Sequence, residues 1–125
     1  MKVIEILKYY EILKGIIDNK DLNITAMAKF KLLGIMKQLE GTVVNFNNVR
    51  NDVIMKYGWK NENGDIGIFQ DDDRYSSAIE KVNSELTNII ESEVDYEIRK
   101  LKADDVIDSG IPAEILVQLY DLIQE

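Results

Sequence analysis

From Ile24 to Tyr57 the chain reads ITAMAKFKLLGIMKQLEGTVVNFNNVRNDVIMKY, with no proline and with apolar positions recurring in steps of four and three. Leu32, Met36, Leu39, Val43, Phe46, Val53 and Tyr57 fall on one stripe, and Arg50 is the single charged position in it. Such spacing keeps side chains on one face against neighbouring elements, so the segment predicts one long helix. At 1.5 Å per residue it extends roughly 50 Å, more than the width of a globule of this size, so its ends are expected to project or to meet another subunit. Gly41, inside it, costs about 1 kcal/mol relative to alanine and reads as a tolerated glycine, a bend or a close backbone approach.

Ahead of it, Val3, Ile6, Tyr10, Leu13 and Ile17 repeat the same steps, widened by Ile4, Leu7 and Ile16, and predict a first amphipathic helix over residues 1–19. Asn19, Lys20 and Asp21 break the pattern, and Asn23 or Thr25 is placed to cap the long helix. A connection this tight sets the first two helices antiparallel. After Tyr57, Gly58 predicts a left-handed helix stop, and Asn63-Gly64 signals a tight turn with a short strand at Ile66 to Phe69.

Tyr75, Ile79, Val82, Leu86 and Ile89 form a third helical stripe. From Glu93 the period changes: Val94, Tyr96 and Ile98 alternate with Asp95, Glu97 and Arg99, which predicts a strand over residues 93–101 with one wet face. A lone strand leaves its backbone groups unpaired, so it needs either the Ile66 to Phe69 segment or an equivalent strand of a second subunit. A short helical turn at Ala103 to Ile107, then Ser109-Gly110 and Pro112, leads into a final amphipathic helix carrying Ile115, Leu119 and Leu122. The expected fold is mainly α with a small β element (α+β): a long central helix packed with two or three shorter ones and one short strand pair, forming a single domain over 1–125. Its core is expected from the stripes of the first three helices, with the last helix against them.

A length of 125 residues suffices for a core without disulfides or metals. The absence of cysteine and histidine removes thiol chemistry, the usual zinc ligand sets and every mechanism with imidazole as base. No apolar run is long enough to span a bilayer. A net charge of −8 argues against a general grip on nucleic acid, which draws its affinity from clustered cations, and directs attention to partners with basic surfaces.

Two acidic zones are the candidate binding features. Asp71, Asp72 and Asp73 crowd ahead of the third helix, where negative charge favours a helix start. Three adjacent aspartates do not converge on one ion, and the calcium-loop pattern is missing, so no metal is expected there. Glu93, Asp95 and Glu97 share one face of the expected strand. Nothing in that open alternation forms the pocket that acid–base catalysis by paired carboxylates needs, and no phosphate loop or nucleophile motif occurs, so no enzyme activity and no cofactor are expected. Trp59, just beyond the long helix, is either an interface anchor or a cap over the end of the core.

MKYGWKNENGDIGIF (residues 55–69), SELTNIIESEVDYEIRKLKADDV (84–106) and IPAEILVQLYDLIQE (111–125) together resemble a family of small proteins, of unassigned function, from tailed phages and prophages of Gram-positive bacteria. The first 30 residues share only helical character with it. These motifs specify a fold more than a site, so the resemblance carries over no catalytic residue. It implies a phage accessory or assembly protein acting in the cytoplasm of the infected bacterial host.

Three functions are then expected to compete. The first is an acidic, protein-binding inhibitor of a host anti-phage defence system, using Asp71, Asp72, Asp73, Glu93, Asp95, Glu97 and Trp59 against the basic surface of a host or phage protein. The second is a virion assembly chaperone or scaffold. The third is an oligomeric sponge for a nucleotide signal, with Arg50, Arg74, Tyr57 and Trp59 around a pocket between subunits. In all three the protein contacts neither membrane nor nucleic acid directly and forms a homodimer or higher homo-oligomer.

Overall fold

The computed structural model describes residues 1–124, and its order of elements follows from three amphipathic stripes and one long return segment. Helix α1 covers Val3–Asp18, and α2 runs unbroken over Ala26–Tyr57. Strands β1 (Trp59–Lys60) and β2 (Ile66–Gly67) pair antiparallel around the Asn63-Gly64 turn, with Trp59 opposite Gly67. Helix α3 is Tyr75–Ile90. The remainder comprises β3 (Leu101–Lys102), α4 (Ala103–Val106), α5 (Ala113–Gln118), a 3-10 turn at Tyr120–Leu122 and β4 (Ile123–Gln124), and β3 and β4 pair in parallel. This is the expected α+β arrangement, with a second two-residue strand pair that the sequence pattern did not predict.

Helix α2 starts where Thr25 caps it: the Thr25 hydroxyl accepts a bond from the Ala28 amide at 3.2 Å. Its first half carries the core. Leu32, Ile35, Leu39 and Val43 pack against Ile6, Tyr9, Leu13 and Ile16 of α1. Tyr9 is buried where the sequence pattern favours Tyr10, which is only half-buried, and Ile16, expected to widen the face, is buried more deeply than Ile17 on the main stripe. The other wall of the core is the return segment, through Leu101, Val106, Ile111, Leu119 and Leu122. Helix α3 contributes less than its stripe suggests: Ala78 and Val82 are buried, whereas Tyr75, Ile79, Leu86 and Ile89 are half-buried.

Polar contacts fix the ends of this packing. The Tyr9 hydroxyl donates to Asp121 Oδ2 at 2.8 Å, and burial, reinforced by that carboxylate, pushes its pKa up to about 12. The α1–α2 loop is clasped by the Thr25 amide donating to the Ser109 carbonyl at 2.8 Å. Gly110 lies beneath that loop with φ +91°, and a Cβ there would clash with the Asn23 carbonyl oxygen. At the far end of α2, Lys56 Nζ and the Tyr57 hydroxyl both donate to Glu85 Oε1, at 2.7 and 3.0 Å, tying α2 to α3. The Lys56 and Tyr57 bonds hold the Glu85 carboxyl below its usual range.

Five expectations are corrected. Residues 93–101 do not form a strand. Only Glu93 makes a ladder contact, an isolated antiparallel bridge to Lys2, and Leu101 belongs to β3. The backbone of Arg99 is satisfied instead by the side-chain amide of Gln38, which donates to its carbonyl at 3.2 Å and accepts from its N–H at 2.7 Å. Val94 and Ile98 still turn onto the core, which explains the alternation without a sheet. Consequently Glu93, Asp95 and Glu97 do not share a strand face, and Ile66–Gly67 pairs with Trp59–Lys60. Gly58 is not left-handed, with φ −80°. It is a place of close approach, where a Cβ would lie 2.7 Å from the Ile54 and 2.8 Å from the Gly67 carbonyl oxygens. The last helix ends at Gln118 and tightens into the 3-10 turn that brings Leu122 inward.

Two tests address this packing. Leu39→Ala, at a fully buried site, should lower unfolding free energy by roughly 2–5 kcal/mol, and Leu86→Ala, at a half-buried one, by about 1 kcal/mol, in chemical denaturation. Equal effects would contradict the assignment of the core to the α1 side of α2. Gly110→Ala should cost roughly 1–2 kcal/mol for the left-handed backbone alone. The clash with Asn23 should add to that, and an unchanged melting temperature would contradict the clasp.

Candidate functional site

Beyond Tyr57 the chain turns a corner that gathers several of the predicted residues. The hairpin places Trp59 beside Phe69, ring centroids 6.1 Å apart and planes at 76°, an edge-to-face pair. The Arg74 guanidinium lies 4.5 Å from the centre of the Trp59 ring. Its position is set from the other side by Asp72, whose Oδ1 accepts from Arg74 Nε at 2.8 Å and from the Arg74 backbone N–H at 2.9 Å. A second bond runs from the guanidinium to Asp72 Oδ2 at 2.8 Å, so the pair is bidentate. These bonds hold the Asp72 carboxyl down, from the usual 3.8 to about 2. Trp59 is thereby gripped between an aromatic edge and an anchored cation.

The loop opposite is equally fixed. Asn61 Oδ1 accepts from the backbone amides of Asn63 and Asp65 at 3.0 and 2.9 Å, and the Asn61 amide donates to the Asp65 carbonyl at 2.8 Å. The carboxamide oxygen that a cation would need is therefore already engaged. Among the described residues no three acidic side chains gather as a metal-binding group. Between this loop and the start of α3 lies a cavity of about 550 Å³, with Trp59, Glu62, Phe69, Asp71 and Arg74 among its walls.

The acidic triplet is thus divided in role. Asp72 is an internal counter-ion to Arg74, while Asp71 and Asp73 are exposed and form no salt bridge with a described residue. Glu93, Asp95 and Glu97 lie elsewhere and line no part of the corner. Glu93 Oε2 stands 2.9 Å from the Met1 amine, and Asp95 and Glu97 are exposed on the irregular segment that follows. Of the four residues considered for a nucleotide pocket, only Trp59 and Arg74 come together. The Tyr57 hydroxyl is engaged by Glu85, and Arg50 is exposed on α2, away from the corner. Phe69 was missed as a site residue. The Asn63-Gly64 turn was the signal for it, since a tight hairpin closing there sets Trp59 against Gly67 and so beside Phe69.

No family model, curated protein or solved structure matches this chain. Among the described residues no helix is long and apolar enough to cross a membrane.

The corner makes a pH prediction through its single tryptophan. A depressed carboxyl pKa contributes stability that is complete above the usual 3.8 and is lost as pH falls through about 2. Trp59 emission should therefore shift across that acid window as Arg74 is released. In Asp72→Asn the neutral-pH spectrum should already show the released form and the acid shift should vanish. An identical titration in the two proteins would contradict the Asp72–Arg74–Trp59 arrangement.

Proposed function

We propose that this chain is a non-enzymatic, acidic protein-binding factor that uses the Trp59 corner to occupy a basic surface on another protein. In the phage setting implied by the family resemblance, that partner belongs to a host anti-phage defence system, and the chain is its inhibitor in the infected cell's cytoplasm. The observation that carries this reading is the pre-organised pairing of Trp59 with unpaired carboxylates. Arg74 and Phe69 fix the indole, and Asp71 stands at the same cavity with its charge unspent. A partner lysine or arginine would meet Asp71 while its apolar stem covers Trp59, with exposed Asp73 adding to the local negative charge, combining an aromatic anchor with charge complementarity. The acid–base alternative draws no support from Asp72, whose shift keeps it ionised rather than holding a proton for delivery.

An assembly-chaperone role is the second reading, favoured by Met27 and Phe30 standing exposed on the outer face of α2. The nucleotide-sponge reading places its pocket between subunits, and within one chain only Trp59 and Arg74 of its four residues come together.

Charge reversal discriminates these readings. Asp71→Lys with Asp73→Lys should abolish protection of phage plating in a defended host and leave the melting temperature nearly unchanged, since both side chains are exposed. Asp95→Lys with Glu97→Lys should behave like the unaltered protein. Partner binding should also weaken as salt rises, because exposed charges are screened beyond about 8 Å near physiological ionic strength. Wild-type behaviour of the Asp71/Asp73 variant would remove the corner from the function. Absence of plating rescue by the unaltered chain across a broad panel of defence systems would transfer the reading to assembly.

A further inference from the structure

Among the described residues the four most exposed large apolar side chains are Val117, Tyr120, Phe30 and Met27, at 74, 71, 70 and 62%. They form two pairs with opposite electrical surroundings. Met27 and Phe30 stand one turn apart on α2, and Phe30 and Leu33 edge a groove of about 620 Å³ between α2 and the segment at Arg99 to Lys102. Lys31, Lys37, Arg99 and Lys100 line this groove, and none of them forms a salt bridge with a described residue. Its single acidic lining residue, Asp105, accepts from the Lys102 backbone amide at 3.3 Å. Gly34 lies in the same wall, and apart from the adjoining backbone of α2 nothing stands within 4 Å of where its Cβ would be, so a second backbone can approach α2 closely there. Cations gathered around an apolar floor are unexpected on a chain of net charge −8.

The other pair has the complementary character. Val117 and Tyr120 project from the C-terminal end, flanked in sequence by Glu114 and Asp121, both exposed. Asp121 is held in place by the Tyr9 hydroxyl, which fixes the orientation of this acidic, apolar knob.

We propose that the Val117–Tyr120 knob of one copy docks into the Phe30 groove of a second copy. Charge complementarity selects the occupant: Glu114 and Asp121 of the knob meet the lysines of the groove, while each apolar pair covers the other. A nucleic acid in the groove would use the cations but leave Val117 and Tyr120 uncovered. The contact joins two different surfaces, so it closes into a two-fold dimer only if both copies exchange knobs, and otherwise continues as a ring or filament. It uses neither Trp59 nor Asp71, so its failure leaves the proposed inhibitor site standing.

Sedimentation velocity of the full chain over a dilution series reaching tens of micromolar tests this directly. The unaltered protein should associate. A groove variant, Lys31→Glu with Lys37→Glu, and a knob variant, Glu114→Lys, should each weaken association about tenfold, since like charges then face each other. An equimolar mixture of the two should recover it, because the reversed knob then meets the reversed groove. Tyr120→Ser should weaken association without any charge change, and circular-dichroism melting should confirm that all variants are folded. A monomeric wild type would overturn the proposal, as would variants that associate like the unaltered chain. Loss of association in the groove variant alone, with both knob variants unaffected, would also overturn it by assigning the groove a different occupant.

Discussion

Everything in this chain depends on α1 lying along the first half of α2 and on the closure of that seam by the C-terminal segment. Ile6 and Leu13 from α1, Leu32 and Leu39 from α2, and Leu119 and Leu122 from the return segment are all fully buried. Burying side chains of this size contributes on the order of 1.5–3 kcal/mol each, before the entropy of ordering the chain is set against it. Among the described residues no large side chain of α2 is fully buried beyond Val43. From there to Tyr57 the apolar residues of α2 are half-buried or exposed, and the helix is held to α3 by the bonds of Lys56 and Tyr57 to Glu85. A helix of roughly 48 Å thus has an anchored end and a lightly packed end.

That asymmetry places the candidate surfaces. The Trp59 corner sits at the lightly packed end, where no large core fixes it, and its order comes from local bonds: the Asn61 loop, the Asp72–Arg74 pair and the edge-on Phe69. Such a site presents a rigid indole without needing to be buried, which suits an anchor for a partner. The cationic groove lies at the other end, against the well-packed half of α2. A second copy and a partner protein would then dock at opposite ends of one helix without competing.

The sequence pattern made the helices legible because their burial is one-sided: steps of three and four placed α1, α2 and α3, and Asn23 or Thr25 marked the start of α2, where Thr25 is the cap. It did not rank them. The stripe of α3 is as regular as that of α1, yet Leu86 and Ile89 remain half-buried, because α3 is tied to the Tyr57 end of α2, away from the core that α1 and the return segment form with the first half. The alternation reported burial correctly at Val94 and Ile98 but not at Tyr96, which is exposed, and it reported backbone pairing wrongly. A side-chain amide 61 residues away, Gln38, takes the place of a strand partner, and periodicity carries no trace of such a contact. The site was legible in part. Trp59 and Asp71 to Asp73 were singled out on separate grounds, and the hairpin turn that joins them was read, but the capture of Asp72 by Arg74 depends on the start of α3 and removes one of the three charges from the surface.

The claim that α2 has one anchored and one lightly packed end is tested most directly by native-state amide hydrogen exchange resolved along that helix. Local opening free energies follow the burial of apolar contacts. Amides from Leu32 to Val43 should exchange near the rate set by global unfolding, and those from Asn48 to Tyr57 should exchange markedly faster, through local opening. Uniform protection along the whole helix, or slower exchange at the Tyr57 end, would contradict this account.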